Sequence, residues 1–118
     1  MPTPTVTYKT TSSKDTVNDI SKRSKPTLTL LDDSKLDISK TYDLENKSQM
    51  KLQAENASGT ALPVEVISIK DKSGNVVSLS LKNRFKPSAG TYTVKYRIQE
   101  TYKGTKLVTE KNIIYSAD

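Results

Sequence analysis

Tyr92-Thr93-Val94-Lys95-Tyr96-Arg97-Ile98-Gln99 is the stretch that decides the fold class. Large apolar side chains fall on every second residue, with Thr93, Lys95, Arg97 and Gln99 between them. Successive side chains of a strand point to opposite faces, so this spacing gives one face for a core and one for water. The same period of two recurs on either side. Leu28 and Leu30 alternate with threonines, Leu36 and Ile38 follow, then Tyr42 and Leu44. Met50, Leu52 and Ala54 alternate with Lys51, Gln53 and Glu55, and Val77, Leu79 and Leu81 with Ser78, Ser80 and Lys82.

In two places the alternation is ambiguous. Between Leu62 and Ile69 the phase slips, which a β-bulge or a strand covered on both faces accounts for. Near the end of the chain Ile113 and Ile114 are adjacent. Turn residues separate the runs. Lys72-Ser73-Gly74-Asn75 and Tyr102-Lys103-Gly104-Thr105 each hold a glycine able to take the positive φ of a tight hairpin. Asn56-Ala57-Ser58-Gly59-Thr60 and Lys86-Pro87-Ser88-Ala89-Gly90 read as loops. The expectation is an all-β fold, an antiparallel sandwich of about seven strands over residues 26–118.

Residues 1–25 differ. Val6, Tyr8, Val17 and Ile20 are their sizeable apolar side chains after Met1, too few to offset the entropy of ordering such a segment. They are expected to form a mobile or extended arm, with the domain beginning at Pro26. Within the arm, Val6 and Tyr8 alternate with threonines, the pattern of a short strand able to add to the open sheet edge of another copy. Asp15 to Arg23 has the spacing of two helical turns capped by Ser13 or Asp15.

Composition excludes much chemistry. The 118 residues include no cysteine, histidine or tryptophan, which removes disulfides, thiolate nucleophiles, histidine bases and Cys/His metal sites. Paired carboxylates, a Gly-rich phosphate loop and a serine–lysine nucleophile context are not recognisable, since Ser21-Lys22 and Ser34-Lys35 sit in the arm or a loop. The chain is expected not to be an enzyme, and no catalytic, cofactor-binding or metal-ligating residue is assigned. Asp71 to Asn75 and the cluster Asp32, Asp33 and Asp37 lack the oxygen-ligand pattern of a calcium loop and read as turns.

The resemblance to a known family enters at Pro87-Ser88-Ala89-Gly90-Thr91-Tyr92-Thr93-Val94-Lys95-Tyr96. A loop ending in glycine, this strand, then a hairpin and a closing strand resemble the last two strands of bacterial immunoglobulin-like modules. Asp71-Lys72-Ser73-Gly74-Asn75-Val76-Val77 resembles an earlier hairpin of the same modules, so the likeness lies mainly over residues 71–115. It implies an immunoglobulin-like sandwich with a non-catalytic, structural or adhesive role in a bacterial cell-surface or surface-layer protein. The implied partners are other modules or copies of the chain. Such modules also decorate phage virions, which gives a tail or capsid decoration protein as the alternative. The resemblance implies a tyrosine corner in which Tyr92 buries its ring and its hydroxyl bonds a nearby backbone carbonyl. The cysteine pair and tryptophan of many members are absent, so the core has to rest on aliphatic residues, Phe85 and the tyrosines.

The net charge of +6 is concentrated in residues 81–118, which hold 8 basic and 3 acidic side chains. Lys82, Arg84, Lys86, Lys95 and Arg97, with Tyr102 as an available aromatic, form the candidate contact surface for an acidic polymer, nucleic acid or anionic glycan. An amide crosslink between Asn112 and a lysine near the first strand is a further possibility that no motif fixes. No run of 18 apolar residues occurs to span a membrane, and Met1-Pro2-Thr3-Pro4 does not read as a signal peptide. The expected location is the cell surface for an excised module, or a virion or the cytoplasm if Met1 is the native start.

Overall fold

The computed structural model describes residues 23–78 and 83–118. Val6, Tyr8 and Lys82, with the proposed arm strand and arm helix up to Lys22, lie outside the described residues. The fold is mostly β: six strands in two sheets and one short helix among the described residues. In chain order they are β1 (Thr27–Leu30), β2 (Lys35–Leu36), α1 (Lys47–Met50), β3 (Leu52–Glu55), β4 (Glu65–Lys70), β5 (Gly90–Tyr102) and β6 (Thr105–Ala117). One sheet pairs β1 with β3; the other has the order β2-β6-β5-β4.

The long β5–β6 hairpin is the backbone of the structure. Its register runs without a break from Gly90 opposite Ala117 to Tyr102 opposite Thr105. Lys103 and Gly104 close it with φ of 50° and 81°, the two positive values of a type I′ turn, whose twist matches that of the strands it joins. The slip in phase between Leu62 and Ile69 is a bulge: β4 shifts register against β5 between Val66 and Ser68, so that Val66 and Ile69 both face the core. The Ile113–Ile114 ambiguity resolves without a bulge, by plain alternation, with Ile113 buried and Ile114 exposed.

Two expectations are corrected. Met50 does not lie in a strand with Leu52 and Ala54; it ends a helical turn. The Asn46 side chain caps that turn by accepting from the Gln49 amide at 3.1 Å, and Lys51 leaves it in the left-handed region at φ 60°. Asn at an N-cap satisfies an amide the first turn leaves unpaired. Because Met50 is buried either way, alternation alone does not separate the two conformations. The pairing is also not wholly antiparallel, since β2 runs parallel to β6, with Lys35 opposite Ser116 and Leu36 opposite Ala117. The long stretch from Pro26 to Leu36 divides between the sheets, β1 in one and β2 in the other, after the turn at Asp32–Asp33.

Both sheets and the connections between them supply one core. Leu28, Leu52 and Ala54 come from the smaller sheet, and Val66, Ile69, Val94, Tyr96, Ile98, Ile113 and Tyr115 from the larger; Leu44, Met50 and Phe85 come from connections. Tyr96 and Tyr115 are the largest fully buried side chains, so the expected reliance on aliphatics, Phe85 and tyrosines holds. Their hydroxyls reach the same connection: Tyr96 donates to the Leu44 carbonyl at 2.6 Å and Tyr115 to the Met50 carbonyl at 2.8 Å. A phenol buried this deeply needs such a partner. Here the two bonds tie the large sheet to α1 and its approach.

Candidate functional site

The register of the four-stranded sheet decides which polar side chains meet on its outer face. Glu65, Arg97 and Glu110 form one transverse row across β4, β5 and β6; Ser68, Lys95 and Asn112 form the next; Lys70, Thr93 and Ile114 the one after. The first row is an ion-pair network. Arg97 Nη2 lies 2.7 Å from Glu110 Oε2 and Arg97 Nη1 3.9 Å from Glu65 Oε1, while Lys95 Nζ lies 3.5 Å from Glu110 Oε1. The guanidinium, hydrogen-bonded to Glu110, holds that carboxyl below the ordinary carboxylate range, and Lys95 adds to the effect. Arg97 and Lys95 therefore do stand on the solvent face, but with their charge largely answered by two glutamates.

The remaining residues of the expected basic surface go elsewhere. Lys86 donates through Nζ to the Ile38 carbonyl. Arg84 is exposed in the loop before Phe85. Phe85 itself is buried, paired through its backbone with Tyr42. Tyr102, expected to be available, is half-buried with the Arg23 guanidinium 4.1 Å from its ring centroid and the Lys103 ammonium 5.5 Å away. One ring face is thus already occupied by a cation. The five described residues of the expected contact surface, Arg84, Lys86, Lys95, Arg97 and Tyr102, divide among three places in the fold.

Arg23 organises a cluster that sequence reading missed. Its guanidinium forms a forked pair with Glu100, Nε to Oε2 at 3.1 Å and Nη2 to Oε1 at 3.2 Å, and a third bond to Ser58 Oγ at 3.1 Å. Asn56 Nδ2 donates to Glu100 Oε1 at 3.0 Å. The Arg23 and Glu100 side chains are only 14% and 9% exposed, so this bidentate pair is a joint between the chain before β1 and the β5–β6 hairpin. The hydrogen bond to Arg23 holds Glu100 below the ordinary carboxylate range, and the bond to Glu100 raises Arg23. Packing against the domain therefore includes Arg23, three residues before Pro26.

Among the open recesses formed by the described residues, two are of about 610 Å³ or more. The larger of the two, about 640 Å³, is lined by Asp33, Asp37 and Asp118 against Lys35, Lys40 and Lys51, with Tyr42 and Gln49. Two of its carboxylates are engaged: Lys51 Nζ sits 2.7 Å from Asp33 Oδ1, and Asp37 accepts from the Ser39 hydroxyl and amide. The other, about 610 Å³, is a trough on the outer face of the large sheet. Ser68, Thr91, Thr93 and Asn112 line it together with Lys70, Lys72 and Lys95. Asp71 also lines it, with Oδ1 accepting from the Ser73 and Asn75 amides at 2.9 and 3.0 Å, the hairpin role expected of it. Lys70 and Lys72 have no ion pair among the described residues.

Two further expectations meet the geometry here. Tyr92 packs its half-buried ring edge-on to Phe85, with centroids 5.0 Å apart, and its hydroxyl accepts from the Ser88 amide at 3.0 Å. The corner contact forms, but its partner is an amide rather than the carbonyl expected. Asn112 is exposed in the trough opposite Lys95, not in the core where a lysine–asparagine crosslink would be promoted. Comparison of the chain with family models, curated proteins and solved structures finds no match.

Proposed function

We propose that the chain is a non-catalytic, immunoglobulin-like β-sandwich module with a structural or adhesive role, acting in series with other modules or copies of itself at a bacterial surface. Sheet membership supports the fold reading. In an immunoglobulin-like domain the first two principal strands share one sheet, and the third pairs with the two closing strands in the other. That arrangement matches β1 with β3, and β4 with β5 and β6. The Tyr92–Ser88 contact supports it as well.

The observation that carries the functional reading is that the segment before β1 and the segment after β6 lie at opposite ends of the β5–β6 hairpin. Arg23 packs on Tyr102 and Glu100, at the hairpin-tip end of β5 and β6, whereas Asp118 follows Ala117, which pairs with Gly90 at the opposite end. With 13 residues in each strand, the two ends are separated by about 40 Å at the usual rise per residue. Modules joined through such ends line up head to tail, and tension passes along the strand axes. β1, β2 and β6 then resist it together. β2 runs parallel to β6. Thr109 Oγ1 donates to the Pro26 carbonyl at 2.6 Å, and Lys111 Nζ to the Leu28 carbonyl at 2.9 Å. Three copies fused from Asp118 of one to Arg23 of the next should give an X-ray scattering profile whose maximum dimension grows by about 40 Å per copy. Growth of less than half that amount means that modules fold back on one another and argues against a serial structural role.

A further inference from the structure

We propose that the trough on the outer face of the four-stranded sheet binds a carboxylated oligosaccharide, with Lys70, Lys72 and Lys95 as its cationic walls and Ser68, Thr93 and Asn112 as its floor. The inference stands apart from the serial-module reading, which assigns this face no ligand. Its volume, about 610 Å³, lies in the range of small-ligand sites. The three lysines reach it from different places in the chain: the end of β4, the Asp71–Asn75 turn, and the middle of β5. Lys72 lines the trough and also the smaller recess beside Gly90, where its Cδ is 3.9 Å from the position a Cβ would take, so its stem lies between the two.

The chemistry of the lining selects among anions. Lysine presents an isolated point charge suited to a single carboxylate, whereas bidentate phosphate recognition favours arginine. The arginine on this face, Arg97, is engaged by Glu110 and Glu65. Serine and threonine hydroxyls both donate and accept, and the Asn112 amide offers two donors and an acceptor. That mixture complements the hydroxyls of a sugar. Among the described residues no aromatic lines the trough, and stacking platforms are what grip nucleic-acid bases. Lys95 is 45% exposed and its contact with Glu110, at 3.5 Å, is longer than that of Arg97 at 2.7 Å, so a ligand carboxylate competes with that pair for Lys95.

The test is a titration of the full chain with tri-galacturonate at low salt, read by amide chemical shifts. Its methyl ester and a short single-stranded DNA are titrated in parallel. The proposal expects shifts centred on Ser68, Thr91, Thr93 and Asn112, weakening with added salt, and loss of binding with the neutral ester. Lys70→Glu with Lys72→Glu should weaken binding about tenfold or more without changing the melting temperature, and Lys70→Gln with Lys72→Gln should weaken it less. Absence of binding overturns the proposal, as do equal binding of the ester, shifts centred on Arg84 and Lys86, or tighter binding of the DNA at this face.

Discussion

Tyr96→Phe tests how the two layers are held together. The substitution removes one buried oxygen and almost no volume, so it leaves no cavity of the kind a Leu→Ala change makes. What it leaves is the Leu44 carbonyl, which accepts from Tyr96 at 2.6 Å in a site where both residues are fully buried. An unsatisfied buried acceptor costs about 1–3 kcal/mol. For a domain of this size that lowers the melting temperature by roughly 5–15 °C. Tyr115→Phe strands the Met50 carbonyl in the same way. Both carbonyls belong to the short connection around α1, so the double variant should lose less than the sum of the singles. Groups sharing one network are not additive. Urea unfolding followed by circular dichroism measures all three, and an unchanged m-value confirms that the folded and unfolded surfaces are comparable. If both single variants fall within about 0.5 kcal/mol of the parent, the brace is not a stabilising element and the reasoning fails.

The same phenols set an alkaline limit. Burial pushes Tyr115 up to about 12 and raises Tyr96 further, with the neighbouring Tyr115 adding to the second. A raised folded pKa gives stability that is fully present below the unfolded value near 10 and lost as pH rises above it. Absorbance at alkaline pH should therefore show two of the six tyrosines ionising only as the chain unfolds; early ionisation of all six contradicts the burial. At the acid end Glu100, Glu110, Asp33 and Asp37 are held below their ordinary values by Arg23, Arg97, Lys51 and the Ser39 hydroxyl and amide respectively. Stability is present above their unfolded pKa values and lost as pH falls through the depressed ones. The melting temperature should fall steadily below about pH 4, and less steeply in Glu100→Gln. Gly104→Ala should cost about 1–2 kcal/mol in thermal melts, because Gly104 sits at φ +81° in open space and the penalty is conformational alone. A neutral result there means that the hairpin turn relaxes to another type.

The strands were legible because alternation is a local signal. Tyr92 to Gln99 reads correctly for burial at Val94, Tyr96 and Ile98, and both hairpin glycines take the positive φ their turns require. Met50 shows where that signal stops, since a capped helical turn and a strand both bury it. The parallel seat of β2 on β6 joins residues about eighty positions apart and leaves no trace in local pattern. The site was less legible for the same reason. Lys95 and Arg97 were visible as outward-facing cations, but the glutamates that answer them, Glu65 and Glu110, are brought opposite by the register of two other strands. Lys70 and Lys72, flanking a turn aspartate in a stretch of balanced charge, carry no sequence mark of their position across the sheet from Asn112. Arg23 looked like part of a polar arm; its partner Glu100 comes from the opposite end of the chain.

The measurement that bears most directly on the central claim is single-molecule pulling in two directions. Attached at Arg23 and Asp118, the domain is loaded along β1, β2 and β6, so the β2–β6 bonds and the Thr109 and Lys111 ties share the force. Attached at Ala89 and Asp118, it is loaded at one end of the β5–β6 ladder, whose bonds then open one after another from the Gly90–Ala117 pair. A markedly higher unfolding force is expected for the first geometry than for the second. Equal forces, or a weaker end-to-end response, contradict the reading of this chain as a module that bears load in series.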